Sequence, residues 1–189
     1  DLSLQDGSLT PQSFEQLHKV LLDKKITCGS VADLGSEAGH AVAQFAFKPF
    51  VNQVIGIEIQ YAWLAYSVII MQHLQAESCK DEYYLADIHI LHGSFLDTTL
   101  VEWEAALSRA DLCFCNNVNW EKGARARPVP QEQQSMKGEY RNSINANVAH
   151  LLVDIMKLNS HVLVFDAASF ANQAFQRVQT LNLMATWST

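Results

Sequence analysis

Two acidic residues lie where the sequence predicts the ends of neighbouring strands. Asp33 closes the apolar run of the first strand, and Glu58 closes that of the next strand, 25 residues later. The carboxyl ends of parallel strands meet at one edge of a sheet, where open α/β proteins bind their ligands. We therefore expect the two carboxylates to face one ligand site.

The turn after the first strand has glycines on either side of its centre, in the segment 33–40 with the sequence DLGSEAGH. Gly35 lets the backbone approach a ligand closely, and Gly39 lets the following helix pack against the strand. A dinucleotide would place its pyrophosphate on the helix N-terminus, where the carboxylate of Asp33 would repel it. The acid instead suits a ligand with an ammonium group, such as the methionine moiety of S-adenosylmethionine. A purely structural turn is the alternative.

The next two strand ends carry groups that suit an adenosyl ligand. Glu58 can accept both hydroxyls of a ribose, although a solvated strand-end residue is the alternative. Ser94 follows the third strand and can bond the adenine amino group, while Phe95 can lie against the ring. An ordinary loop with Phe95 in the core is equally consistent with the spacing.

The fourth predicted strand ends at an edge that would face the group to be transferred. Asn116 follows this strand directly, and Trp120 lies four residues further on. An amide oxygen can orient an incoming amine, and an aromatic ring can form the wall of its channel. Consecutive asparagines are also a common turn start, so a structural role is the competing hypothesis.

Strands and helices alternate along the chain, as in parallel sheets with right-handed crossovers and helices on both faces. The pattern predicts an α/β fold with a doubly wound, mostly parallel, Rossmann-like sheet. Thr10 is the expected N-cap of the first helix, and Pro11 its first residue. Strands are predicted at 30–34, 51–59, 88–92, 112–115 and 161–165, further helices at 40–47, 61–80, 100–108 and 143–158, and one or two closing strands within 176–189.

Composition indicates one globular unit. Hydrophobic residues make up 49% of the 189 residues, which is enough for a core without disulfides or a metal. Residues 1–29 are expected to form a loop and helix that lead into a core of residues 30–189. The net charge of -7 argues against nucleic-acid binding over the whole surface. The sequence shows no secretory signal and no apolar run that could span a bilayer, so a secreted or membrane protein is not expected.

The four cysteines lack the spacing of a zinc site, so no metal site is expected. Cys113 and Cys115 are two residues apart on a predicted strand and therefore face the same side of the sheet. We expect both to be small core residues in a reducing compartment.

A polar segment at 117–142 interrupts the regular alternation, and it includes the basic residues Lys122, Arg125 and Arg127. Connections of this length in compact domains are usually functional or disordered. We expect its residues 121–142 to contact the substrate rather than the cofactor, with weak nucleic-acid contact through the basic residues. A simple surface insertion is the alternative.

As a set, these motifs resemble the disruptor-of-telomeric-silencing histone-lysine methyltransferases, which have the class I methyltransferase fold. The matching features are Asp33-Leu34-Gly35-Ser36-x-x-Gly39, Gly56-x-Glu58, Ser94-Phe95-Leu96-Asp97, Asn116-Asn117, a segment Gly7–Pro11 similar to the loop before the family's first helix, and Thr186-Trp187, similar to its late Ser-Trp-Thr strand. The resemblance covers residues 6–188.

The resemblance implies methyl transfer from S-adenosylmethionine to a lysine of a histone or nucleosome in the nucleus, with S-adenosylhomocysteine as product. It also implies that Asn116 and Trp120 present the amine. The predicted cofactor-binding residues are Thr10, Asp33, Gly35, Gly39, His40, Glu58, Ser94, Phe95 and Asn116. Two alternatives remain, a class I methyltransferase for a small molecule or RNA and a non-catalytic module that keeps the fold.

Some positions depart from the family's pattern. Asp6 and Ser8 replace an aromatic residue and an acid, and Glu37 replaces a glycine of the turn. A glutamate beside the donor's own carboxylate would repel it, whereas the nearby helix N-terminus would stabilise the acid. We therefore expect Glu37→Gly to tighten donor binding and slightly lower the melting temperature of the free protein.

Overall fold

The computed structural model describes residues 6–26, 28–81, 83–97, 99–116, 144–157, 160–164 and 185–188. In chain order the elements are β1 Asp6–Leu9, α1 Pro11–Asp23, β2 Ser30–Leu34, α2 His40–Ala46, β3 Gln53–Glu58, α3 Tyr61–Asp81, β4 Asp87–His92, α4 Val101–Arg109, β5 Leu112–Cys115, α5 Ile144–Ile155, β6 His161–Val164 and β7 Ala185–Ser188. From α1 to β6 the predicted elements are present in the predicted order and differ mainly at their ends.

A parallel sheet of five strands forms the centre of the molecule, in the order β4-β3-β2-β5-β6. After β2 the chain adds β3 and β4 on one side, and it then returns to add β5 and β6 on the other. The predicted α/β Rossmann-like fold is confirmed. The reversal creates a switch point between β2 and β5, and there Asp33 lies opposite Phe114 on one side and Gly56 of β3 on the other. Sheets of this kind bind ligands outside the carboxyl ends of the strands at the switch point.

Helices cover both faces of the sheet because the strands are apolar on both sides. The core shared with α1, α2 and α3 includes Phe14, Leu17, Val31, Val42, Phe45, Val54, Met71, Leu112 and Phe114. The core shared with α4 and α5 includes Ala32, Leu34, Ile57, Trp103, Leu107, Cys113, Cys115, Val148 and Leu152. The prediction that Cys113 and Cys115 are core residues on one face of the sheet is confirmed, since both are buried with their Sγ atoms 3.6 Å apart.

Local sequence determines where α1 begins. The side-chain oxygen of Thr10 accepts a hydrogen bond from the Ser13 amide at 3.3 Å. Pro11 follows at a position where an amide hydrogen would have no partner within the helix. The predicted N-cap is therefore confirmed, and Phe14 and Leu17 recur on the buried face of the helix.

β1 and β7 form a separate antiparallel sheet of two strands, with Gly7 opposite Trp187. The late strand expected around Trp187 is confirmed. The interpretation of Gly7–Pro11 as a loop was wrong for residues 7–9, which are part of β1. This pairing holds Leu9 beside the carboxyl edge of the central sheet, where it lines the cleft described below.

α3 is apolar on more than one face. Ser67 and Met71 are buried, whereas Tyr61, Tyr66 and Ile69 are exposed. Within the described ranges no helix has both the length and the apolar character needed to cross a membrane.

Asp111 joins the amino-terminal ends of three strands. Its Oδ2 accepts a hydrogen bond from the Ser30 amide at 2.9 Å, and its Oδ1 lies 2.5 Å from Lys157 Nζ. Its amide donates to the Ser30 carbonyl and its carbonyl accepts from the His161 amide, both at 2.8 Å. Burial raises the pKa of Asp111, but the bonds from Lys157 and Ser30 outweigh burial and hold the pKa below its ordinary value. These bonds of Asp111 align the amino-terminal ends of β2, β5 and β6, and the opposite ends of β2 and β5 form the site described below.

We expect Asp111→Ala to lower the free energy of unfolding by about 1–3 kcal/mol, because the part-buried Ser30 amide loses its acceptor. Lys157→Met is the control, since it removes only a half-exposed ion pair that contributes less than about 1 kcal/mol. Urea denaturation of the three proteins measures both values. Equal losses in the two variants would show that the amide contact contributes nothing beyond the ion pair.

Candidate ligand-binding cleft

A cleft opens at the carboxyl edge of the sheet, at the switch point between β2 and β5. It holds about 320 Å³ of empty space, counting the part that is open to solvent. The described residues that line it are Leu9, Asp33, Gly35, Ser36, Glu37, His40, Ala41, Phe114 and Asn116. The cleft thus brings together four of the predicted cofactor-binding residues, Asp33, Gly35, His40 and Asn116, and also Glu37.

The turn between β2 and α2 is fixed against the neighbouring strand. The amides of Gly35 and Ser36 both donate to the carbonyl of Ile57, each at 3.0 Å. Gly35 has a φ of +76°, a left-handed conformation that glycine adopts without steric cost. The turn therefore leaves β2 sharply and passes over the end of β3. Residues of this turn form one wall of the cleft.

Position 39 needs a glycine for a structural reason that differs from the predicted one. It is the N-cap of α2 with a φ of +82°, and a Cβ atom there would lie 2.7 Å from Met71 Cε and 3.2 Å from Ser67 Cβ. The glycine thus allows close packing against α3, whereas the sequence analysis assigned it to packing against the strand. Gly39 is not among the described residues that line the cleft.

Glu58 is buried at the end of β3, with 3% of its surface exposed. Its Oε2 accepts a hydrogen bond from the Glu37 amide at 2.9 Å, and its Oε1 accepts one from the Gln60 amide at 2.6 Å. The carboxylate therefore joins the turn after β2 to the turn after β3. An ionised carboxylate has about four lone-pair sites, so these two bonds leave capacity for further donors. The ribose contact stays a prediction.

Asp33 lies in the cleft and is 2% exposed. Burial, and then the charge of nearby Glu58, raise its pKa to about 8. The amide donors that support the Glu58 carboxylate have no counterpart at Asp33 among the described residues. Asp33 is therefore mostly protonated at neutral pH while no cation lies beside it.

Ser36 belongs to the turn motif, but no functional role was predicted for it from the sequence. It is buried and lines the cleft, and its Oγ is the one buried side-chain oxygen or nitrogen without a hydrogen-bond partner in the described part of the chain. A Cβ atom on Gly56 would lie 2.7 Å from Ser36 Cβ. A glycine on β3 thus gives Ser36 room, and a ligand in the cleft could supply the missing partner.

Leu9, Ala41 and Phe114 also line the cleft, and the sequence analysis did not select them. Phe114 stacks with Phe14 at a centroid distance of 6.1 Å and meets Phe45 edge-on at 5.6 Å. Leu9 depends on the pairing of β1 with β7. A signal for Phe114 was available, because its register places it beside Asp33 as soon as β2 and β5 are taken as neighbours.

Ser94, Phe95 and Thr10 are not among the described lining residues. Ser94 Oγ accepts a hydrogen bond from the Leu96 amide at 3.2 Å, and the Phe95 carbonyl accepts one from Trp103 Nε1 at 3.1 Å. The Phe95 ring packs against the core beneath α4, which favours the alternative of an ordinary loop. Thr10 caps α1, and its cofactor role stays a prediction.

Some predicted site residues lie outside the described residues. They are Trp120 and the basic residues Lys122, Arg125 and Arg127 of segment 117–142. The side chains of Asp6 and Ser8 are likewise not described, although the backbone of both belongs to β1.

The chain was compared with known proteins. No protein-family model and no curated protein matches it. Among solved structures, YjhP from E. coli has 16% identity and a TM-score of 0.50 over 82% of this chain and 48% of its own. Two similar structures are SAM-dependent methyltransferases in complex with S-adenosyl-L-homocysteine. The one from Geobacter sulfurreducens has 16% identity and a TM-score of 0.49, and the one from Thiobacillus denitrificans has 17% and 0.48, each over 82% of this chain and 48% of that structure.

The chain spans about half the length of these solved structures. At such identities the likeness to YjhP is one of fold. It agrees with the strand order and the two helical layers, which identify the chain as an α/β Rossmann-like protein.

Glu37 has a φ of +49°, and this changes one expectation from the sequence. A left-handed conformation costs a residue with a Cβ about 1–2 kcal/mol, whereas glycine loses about 0.5–1 kcal/mol more entropy on folding. We now expect Glu37→Gly to raise the free energy of unfolding by about 0.5–1 kcal/mol, rather than to lower the melting temperature. Glu37→Ala is the control, because it removes the carboxylate but keeps the Cβ. Thermal and urea melts test this, and a gain in the alanine variant as well would assign the effect to charge.

The raised pKa of Asp33 makes stability depend on pH. Between about pH 4 and pH 8 the unfolded chain loses the Asp33 proton while the folded chain keeps it, so folded-state stability falls as pH rises. The side chain at position 33 in the Asp33→Asn variant cannot ionise, so the stability of this variant does not fall with pH for that reason. We expect the stability of the variant relative to the native protein to rise with pH, by up to about 1.4 kcal/mol per unit. Urea denaturation from pH 5 to 8 measures the difference, and parallel curves for the two proteins would contradict it.

Proposed function

We propose that the protein binds S-adenosylmethionine and is a methyltransferase. The observation that carries this proposal is the buried acid Asp33 in a cleft at the switch point, with a second buried acid, Glu58, at the end of the next strand. No lysine or arginine is among the described residues that line the cleft. Such a site favours a ligand with a cationic group over one with a pyrophosphate.

The residues present fit this donor. Asp33 would face its ammonium group, Glu58 would offer its remaining lone pairs to the ribose hydroxyls, and the unpartnered Oγ of Ser36 would gain a hydrogen-bond partner. When bound, S-adenosylmethionine supplies the methyl group. The chain's own task is to hold the donor, exclude water and present a neutral amine, since positioning and desolvation accelerate a displacement of this kind.

We further propose a lysine of a histone or another protein as the methyl acceptor, which implies a nuclear protein. Asn116 supports this, because it follows β5 and lines the cleft where an acceptor would approach. The motif resemblance and the basic residues of segment 117–142 also support it. Methylation of a small molecule or RNA, and a non-catalytic binding role, are the competing functions.

Calorimetric titration tests donor binding. We expect S-adenosylhomocysteine to bind and a nicotinamide dinucleotide not to bind, because the buried acids disfavour pyrophosphate. Glu58→Ala should weaken binding by about 1.5–3 kcal/mol, the usual cost of losing hydrogen bonds to a charged group. Glu104→Ala is a matched control, since Glu104 is exposed on α4 on the opposite face of the sheet. Unchanged affinity in Glu58→Ala would contradict the assignment.

Incubation with labelled donor identifies the acceptor. Transfer to histones or nucleosomes supports the lysine substrate, and transfer to RNA or a small molecule supports the second function. Transfer to none of them, despite donor binding, would favour the non-catalytic module. If segment 117–142 contacts the substrate, neutralising Lys122, Arg125 and Arg127 should raise the Michaelis constant most at low salt.

A further inference from the structure

The two buried acids at the sheet edge have different hydrogen-bond environments. Each oxygen of Glu58 accepts a hydrogen bond from a backbone amide, at 2.9 and 2.6 Å. An ionised carboxylate can accept both bonds, because each of its oxygens is an acceptor. Asp33 is equally buried and has no such donors among the described residues. Two neighbouring buried acids resist ionising together. The geometry therefore assigns the charge to Glu58 and a proton to Asp33 while no cation is bound.

We propose that Asp33 exchanges this proton for the ammonium group of the ligand, so that ligand binding releases one proton to solvent. This inference rests on the proposed function. The ammonium group compensates the second negative charge, which the site otherwise excludes. Asp33 then acts as the residue that selects ligands with a cationic group over neutral ones. Because a proton is released, binding tightens as pH rises towards the range in which Asp33 ionises unaided.

Other titratable groups near Asp33 must be distinguished from it as the source of such a release. Glu37 and His40 face the cleft from the turn and from α2. Cys113 faces the opposite side of the sheet from β5, and burial, followed by the neighbouring Cys115, raises the pKa of its thiol. The Cys113 thiol therefore stays neutral. His40 is an exposed imidazole that lines the same cleft, so it is the group for which the experiment needs a control.

Calorimetry in buffers of different ionisation enthalpy counts the protons released. The probes are S-adenosylhomocysteine and 5′-methylthioadenosine, which keeps the adenosyl thioether but lacks the ammonium group. At pH 7 we expect release of about one proton with the first probe and none with the second. Asp33→Asn should release none with either probe. In His40→Gln, each S-adenosylhomocysteine bound should still release about one proton, whatever the change in affinity.

A pH series on the native protein tests the same exchange without a variant. The dissociation constant for S-adenosylhomocysteine should fall by up to about tenfold per unit between pH 6 and pH 8, and that for 5′-methylthioadenosine should stay constant. Binding of S-adenosylhomocysteine with no proton released, or release that persists in Asp33→Asn, would overturn the exchange alone. Failure of both compounds to bind would overturn the proposed function and the exchange together.

Discussion

The Glu58 carboxylate holds the carboxyl edge of the sheet in the shape on which the cleft depends. It accepts the amides of Glu37 and Gln60, and so it connects the turns that follow β2 and β3 through charge-assisted hydrogen bonds. The same turn carries the left-handed backbone of Glu37, whose strain this contact helps to offset. Without the charged acceptor, these two part-buried amides would lose the hydrogen bonds that hold the turn at the edge of the sheet.

Asp33 contributes nothing comparable to the fold. It is buried between Phe114 on β5 and Gly56 on β3, and its burial stabilises the neutral acid at the expense of the carboxylate. An apolar side chain at this position would avoid that cost. Sites where a chain departs from what stability favours are where function is expected, and the place of Asp33 in an open cleft fits that expectation.

The sequence could predict the fold because its strands are short apolar runs bounded by glycine and polar residues. It could also predict that Asp33 and Glu58 meet at one edge, since parallel strands align their carboxyl ends. The sequence could not predict which atoms bond to each other. One hydrogen bond of Glu58 depends on the backbone conformation at residue 37, and the position of Leu9 in the cleft wall depends on a strand pairing between distant parts of the chain. Phe95 was undecided for a similar reason. Its spacing fits both a ring contact and a core residue, and only its packing beneath α4 favours the core.

A Rossmann-like sheet by itself is compatible with many ligands, so the charges around its first turn must discriminate among them. In nucleotide-binding turns the free amides of a helix N-terminus attract phosphate. Here the N-cap of α2 is Gly39, which is committed to close packing against α3, and the turn before it carries Glu37 and follows Asp33. A phosphate at this helix end would meet two acidic side chains and no lysine or arginine among the described residues that line the cleft. Under the proposed function, the same backbone arrangement serves a ligand with an ammonium group, through the acid at Asp33 rather than through any change in the sheet.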